Sequence, residues 1–442
     1  MKRKTANWGN YPIVEADFLT LRNQRQADEF IRRPGPMIAR GLGRCYGDSA
    51  LSETILSTES YNNLLAFDAE KGVVTCEAGV SLADILDVFT PRGWFLPVTP
   101  GTKFVSIGGA IAADVHGKSS GSFGDYVLSM QVMKADGEIL TCSKTENAEF
   151  FETTRGGMGL TGLILQATIQ LIPVETAYIR EETVQCKDLD SVMDLFEQMG
   201  KWTYSVAWID CVATGKDMGR SVMMRGEHAR RADLVNSTQR RDPLNFRGLP
   251  KLDVPIMFPN FALNNLSVKA FNMAYYHKCP KGTHEHIVNY DAFFYPLDFV
   301  NNWNRIYGRR GFTQYQFLLP LESSYEGLPV LLEKISSSGL GSFLAVLKKF
   351  GPHESFISFP KPGYFLALDF PITKKLFALL DEFDKLVLKY GGRLYLAKDV
   401  RMKPEMFFKG YENADTFCER IKQWDPQQKF QSLQSQRLNM HQ

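Results

Sequence analysis

From Pro100 to Gly124 the chain reads PGTKFVSIGGAIAADVHGKSSGSFG, with glycine at 101, 108, 109, 117, 121 and 124 and alanine at 110, 112 and 113. Side chains this small cannot build much core. They suit a backbone that passes close against a flat, rigid ligand, because glycine removes the Cβ that would keep the two apart. Within the run, His116-Gly117-Lys118 sets a titratable ring and a cation beside flexible backbone. A second glycine-rich segment is Ala39-Arg40-Gly41-Leu42-Gly43-Arg44-Cys45-Tyr46-Gly47-Asp48-Ser49, after an apolar pair at 37–38. Its glycines let successive N–H groups converge into an anion-holding nest, and Arg40 or Arg44 can add charge. A glycine-rich β-turn is the plainer alternative.

Gly157-Met158-Gly159-Leu160-Thr161-Gly162 matches GxGxxG, the dinucleotide fingerprint. That motif works only after a strand and at the opening of a helix, so that the helix N-terminus faces a pyrophosphate. Here a helix-like segment, Ala148–Thr154, precedes it and a strand-like segment, Leu163–Ile172, follows. The nearest later acid is Glu175 rather than one about 20 positions on. The spacing therefore predicts a helix-to-strand turn, and a nicotinamide site is disfavoured.

The 442 residues exceed one ordinary core, so two domains are expected. Hydrophobic residues at 44% and charged residues at 23% describe a folded globular chain, and a net charge of +2 gives no reason to expect a nucleic-acid partner. The opening MKRKTANWGNYPIVEADF has no apolar run of the secretory kind, and no stretch approaches the roughly 18 apolar residues of a membrane span. A cytoplasmic location is the expectation. Seven scattered cysteines without a CxxC pair predict neither a disulfide framework nor zinc, and His284 with His286 is too little for a metal site.

Gly72–Gly79 reads as a strand, with Ser81 capping a helix on which Leu82, Ile85, Leu86 and Phe89 share a face. Ala-Asp-Gly at 135–137 predicts a hairpin. Pro173 closes this block. Seven arginines and Lys251 lie between 220 and 251, and VPIMFPNFALNNL follows at 254–266; both are read as long loops. Lys374–Tyr390 predicts an amphipathic helix stopped by Gly391-Gly392. In the segment Gly391–Asp399, alternation puts Arg393, Tyr395 and Ala397 on one strand face and Leu394, Leu396 and Lys398 on the other. A lysine among leucines is either snorkelling from a strand end or held in an apolar site for a purpose.

ARGLGRCYGD, PGT…GGAIAADVHGK…GSFGD, GGMGLTGLI and GGRLYLAKD occur in an order and separation that resemble the FAD-linked oxidases of the vanillyl-alcohol-oxidase superfamily. YPLD (295–298), WNRIYG (303–308), YQF (315–317), KKFGP (348–352) and LDFPI (368–372) extend the likeness over nearly the whole chain, most weakly around 175–285. The resemblance implies an α+β fold: a two-part PCMH-type FAD-binding domain (1–173), a substrate domain with a helix-covered antiparallel sheet (174–392), and a C-terminal segment (393–442) returning to the FAD domain. It implies an FAD-dependent oxidoreductase that takes a hydride from a secondary alcohol of a sugar. The sugar would be a lipid-linked one such as a polyprenyl-phosphoryl pentose, oxidised at 2′ as one step of an epimerisation. A soluble polyol (alditol or aldonolactone oxidation) and a flavin protein without catalysis are the alternatives.

By the same resemblance the pyrophosphate loop is Ala39–Ser49. Further FAD contacts fall at Gly101, Ser106, Ile107, Gly108, Gly109, Ala113, Asp114, Val115, His116, Ile164 and Tyr395. Lys398 matches a lysine at flavin and substrate, while Gln314, Gln316, Tyr46, Lys118 and Lys348 match substrate-side positions. Tyr395 or His116 assists the hydroxyl proton, and the sequence does not choose between them. Arg44 stands where some members carry the histidine that links covalently to flavin, so noncovalent FAD is expected. Phe365 and Ala367 replace an asparagine and a cysteine of near members. A reductase partner and a peripheral membrane contact, through the basic and apolar loops with Phe258 or Phe261 at the interface, accompany the lipid-linked reading.

Overall fold

Three large sheets organise the chain in a computed structural model that describes residues 2–246, 248, 251–259, 263–353 and 355–442. The first runs Lys2–Thr5, Val14–Thr20, Thr54–Ser57, Met37–Arg40, with its last three strands parallel. The second is antiparallel, in the order Leu64–Asp68, Val73–Glu77, Leu163–Gln170, Val127–Met133, Ile139–Ser143. The Ser81 hydroxyl accepts from Asp84 N–H at 3.0 Å and the Asp84 carboxylate accepts from Ser81 N–H at 2.9 Å. That capping box starts the helix Leu82–Phe89, whose apolar face is buried on the second sheet.

Residues 156–162 form the helix-to-strand turn, with Gly156, Gly159 and Gly162 at φ of +78°, +79° and +155°. The glycine-rich run departs from expectation. It contains a short helix, Ile107–Ala112, and its Ile107, Ala110, Ile111, Val115 and Phe123 are buried in the core. Smallness here brings the helix close to its neighbours: a Cβ on Gly108 would sit 2.9 Å from that of Ala78.

The third sheet has eight antiparallel strands in the order Thr283–Asn289, Tyr178–Cys186, Ser221–His228, Tyr204–Ile209, Ala345–Phe350, Gly363–Pro371, Phe312–Pro320, Arg393–Leu394. Helices Leu189–Glu197, Leu321–Ser337 and Lys374–Lys389 cover one face, burying Leu366, Leu368 and Phe370 beneath them. Period-two alternation then turns Phe365, Ala367 and Asp369, with Gln314, Gln316 and Lys348, to the opposite face.

Two expectations are corrected. Residues 220–266 are not one long loop: Ser221–His228 is an inner strand and Asn265–Lys278 a helix. Arg225 pairs with its cross-strand partner Glu182, and Arg220 with Asp210 at 2.7 Å, so charges that looked like surface are buried in pairs. Phe261 lies outside the described residues. Second, of residues 393–398 only Arg393–Leu394 is strand. Strand pairing ends at Leu394, Tyr395 N–H still reaches the Gln316 carbonyl of the neighbouring strand at 3.0 Å, and the chain then closes into the 3-10 turn Leu396–Lys398, with Lys398 N–H on the Tyr395 carbonyl at 3.0 Å. Beyond it the chain returns to the first sheet, where Met37 exchanges backbone hydrogen bonds with Lys429 and Gln431. Among the described residues no helix is long and apolar enough to cross a membrane.

Candidate active site

The strand Met37–Arg40 opens into a loop whose Leu42, Gly43, Arg44 and Cys45 N–H groups meet no protein acceptor among the described residues. Gly43 has φ of +63°. Its neighbours hold this loop from two sides. Gly41 lies so near the helix cap that an added Cβ would be 2.0 Å from Ser106 Oγ, and one on Gly47 would be 1.8 Å from the Asp399 carbonyl. Asp48 accepts from Arg437 at 2.9 and 3.1 Å, and Ser49 is buried. Arg40 donates to Asn7, Ala6 and Glu59. Ser106 Oγ accepts from Gly109 N–H at 3.3 Å. Around Gly101 a Cβ would meet nothing within 4 Å, so the backbone borders open space there. The Asp114 carboxylate turns inward to Arg155, Gly124 and Ser358, and Ile107, Val115 and Ile164 point into the core.

Where the glycine-rich run meets the face of the eight-stranded sheet opposite its covering helices, the remaining residues converge in two groups. In the first, the Gln316 amide nitrogen donates to His116 Nε2 at 2.8 Å, which leaves the ring proton on Nδ1, a buried atom with no partner among the described residues. Phe350, Phe359, Phe365 and Tyr395 surround that ring at 4.8–5.5 Å between centroids. Tyr395 OH donates to the Ala113 carbonyl at 2.9 Å.

In the second group, Lys398 Nζ stands 3.7 Å from the centroid of Tyr46, whose N–H is held by the Ala397 carbonyl. Lys398 has no hydrogen bond or ion pair within 4 Å among the described residues and keeps accessible surface. Asp369 faces it, accepting from Gln314 at 2.6 Å and from Tyr307 OH at 3.4 Å. Lys348 Nζ donates to the Gly117 carbonyl at 3.0 Å, and Lys118 Nζ to that of Phe293. The sequence did not reveal Asp369. Its signal is an acid on the outward register of the otherwise apolar strand Gly363–Pro371.

Burial dominates the electrostatics. It pulls the Lys348 ammonium down to about 7, helped by Lys118 and Lys398, and Lys118 down to about 8 against Glu181. It also lowers Lys398 and raises Asp369, each opposing the other's shift. His116 is held well below its ordinary value by burial and by Lys348 and Lys398, so the ring is neutral. The Tyr395 phenol is held well above its own. Three lysines cluster here, with Asp369 facing Lys398 and Glu181 acting on Lys118, and the surplus of cations favours an anionic occupant.

These features fit FAD: unpartnered N–H groups for a pyrophosphate, an orphaned Nδ1–H, and open backbone at Gly101 for a flat ring system. Residues 28–143 match the FAD binding domain family. Over 414 residues the chain is 38% identical to decaprenylphosphoryl-β-D-ribose oxidase of Mycolicibacterium smegmatis, covering 91% of this chain and 89% of that protein. Identity is 31% over 374 residues to a protein of the mprA 5′ region of Streptomyces coelicolor, covering 82% and 100%. It is 36% to L-gulonolactone oxidase of Mus musculus, over 25% of this chain and 26% of that one. Fold, site and likeness together define an FAD-dependent oxidoreductase with a PCMH-type FAD-binding domain. Within that class, the chain belongs to the family of decaprenylphosphoryl-β-D-ribose oxidase.

Proposed function

We propose that this enzyme oxidises the 2′ hydroxyl of a polyprenyl-phosphoryl pentose, with noncovalent FAD as cofactor. The observation that carries the reading is the cluster of Lys398 over the Tyr46 ring, Lys348 on the Gly117 carbonyl and Lys118 on that of Phe293, with Asp369 facing Lys398. The name of the Mycolicibacterium relative supplies the substrate class. FAD, when bound, supplies the hydride acceptor. Lys398 holds the substrate oxygen and offsets negative charge that develops beside it. Burial raises the Asp369 carboxyl and so makes its carboxylate, which accepts from Gln314 and Tyr307, a stronger base; in that ionised form it takes the hydroxyl proton. His116 is already engaged at Nε2 by Gln316 and serves to orient, while Tyr395, donating to Ala113, is a wall. Tyr46, Gln314 and Gln316 position the sugar, and the Ala39–Ser49 loop holds the pyrophosphate. Phe365 and Ala367 give the pocket an apolar side.

A keto product formed for epimerisation requires a reductase that returns the hydride, and that class of enzyme is the expected partner. The lipid tail would place the mouth at a membrane surface. Leu252, Ile256, Met257, Phe258 and Phe299 are 37–67% exposed there, an apolar strip fit for an interface.

Anaerobic mixing with a polyprenyl-phosphoryl pentose tests the reading. It should bleach the flavin, and Lys398→Ala should keep FAD but slow bleaching by about 10²–10³-fold. Bleaching by soluble alditols or aldonolactones alone would replace the substrate, and a variant as fast as the parent would remove Lys398 from its role.

A further inference from the structure

The guanidinium of Arg44 lies over the rings of Trp8 and Phe104, 4.1 and 5.3 Å from their centroids. Among the described residues it makes no hydrogen bond and no ion pair within 4 Å. That is unusual for a group with five donors on a rigid fork. Arg40 of the same loop, by contrast, has its donors occupied. Lys251 Nζ approaches the same Phe104 ring at 5.1 Å, and it too has no hydrogen bond or ion pair among the described residues. Two cations thus share one aromatic ring. The acid that faces Arg44 is Asp298, which accepts from Lys103 N–H at 2.9 Å and stays beyond ion-pair distance. Lys103 itself is paired with Asp291 at 2.7 Å.

The surroundings give this cation pair an address. Two residues after Arg44, Tyr46 carries Lys398 on its ring. On the other side Lys251 leads into Leu252, whose N–H is held by the Phe299 carbonyl at 2.8 Å, and so into the exposed apolar strip. Along these contacts the order runs from apolar strip to cation pair to the Lys398 cluster. A polyprenyl-phosphoryl sugar has the matching order of tail, phosphate and sugar.

We propose that Arg44 and Lys251 form a phosphate subsite that takes the phosphoryl group joining the sugar to its lipid tail. This rests on the lipid-linked reading above. The FAD pyrophosphate offers the same chemistry from a second source. Arg44, however, leans on Trp8, which packs edge-on against Trp303 at 5.7 Å and whose carbonyl accepts from Asn304. It therefore faces the connections of the substrate sheet, and the substrate phosphate is the assignment.

Calorimetric titration of the holoenzyme with farnesyl phosphate and with farnesol tests it, using Lys251→Gln, Arg44→Met and the conservative Lys251→Arg. Farnesyl phosphate should bind the parent more tightly than farnesol does, and lose about tenfold in affinity in Lys251→Gln and in Arg44→Met. Lys251→Arg should restore it, and farnesol binding should not change. Equal losses for both probes, or no preference for the phosphate in the parent, would overturn the subsite. So would an Arg44→Met protein that releases FAD yet binds farnesyl phosphate normally once resupplied with it, since Arg44 would then serve the cofactor. If the parent bleaches with the lipid-linked pentose while the variants bind farnesyl phosphate normally, the subsite alone fails. If no lipid-linked pentose bleaches the flavin, the functional reading fails first.

Discussion

Lys348 and Lys118 are cations kept where water is scarce, and such placement has a measurable sign. Lys348 is lowered to about 7 by burial, against an ordinary value near 10.4 in the unfolded chain. Below about pH 7 it is charged in both states and the folded protein bears the full cost of burying it. Between about pH 7 and 10.4 the unfolded state binds more protons, so this residue's contribution to stability rises with pH. Lys348→Met should therefore gain melting temperature over the parent most at pH 6–7, with the gain shrinking toward pH 10. A gain independent of pH would mean that Lys348 carries no desolvation cost. At this scale the sequence was legible for residues in glycine-rich motifs, such as His116 and Lys118, and through likeness for Lys398. It was silent on Asp369, because an acid in GYFLALDFP acquires meaning only when the strand register turns it toward Lys398.

At the scale of elements, the loop Ala39–Ser49 and the helix Ile107–Ala112 work as a unit. Gly41 touches the Ser106 cap with no room for a methyl group, since its Cβ would lie 2.0 Å from the hydroxyl. Gly41→Ala should force loop and cap apart and weaken FAD binding by about tenfold or more, the range of a 1–3 kcal/mol overpacking cost. Fluorescence titration of the stripped variant with FAD would check this, and unchanged affinity would separate the loop from the cofactor. Capped and periodic elements, such as Leu82–Phe89 and Lys374–Lys389, were readable because caps and apolar faces are local signals. Ser221–His228 was not, since an inner strand that pairs Arg225 with Glu182 loses its alternation. Nor was the 3-10 turn at Lys398, since Arg393–Lys398 alternates like a strand while its pairing with Phe312–Pro320 ends at Leu394.

At the scale of the whole molecule, the FAD-binding part and the eight-stranded sheet meet at residues drawn from both. His116 and Tyr46 come from one side, and Gln316, Lys348 and Asp369 from the other. The two-part organisation was legible in the order of the motifs. Their meeting was not, because no local pattern states which face of a sheet a glycine-rich run will cover. The apolar strip from Leu252 to Phe299 belongs to this scale too. With Arg230, Arg231 and Arg241 exposed, the protein should sediment with anionic vesicles, less so with neutral ones, and salt should release it. Equal binding to both would remove the electrostatic part of that contact.

The visible absorption spectrum of the purified protein, before and after acid precipitation, addresses the central claim most directly. An FAD held by unpartnered N–H groups, with Arg44 where a linking histidine would stand, predicts the paired bands of oxidised flavin and a yellow colour that passes into the supernatant. Colour retained in the pellet would contradict the noncovalent site. A colourless protein that takes up no added FAD would contradict the account as a whole.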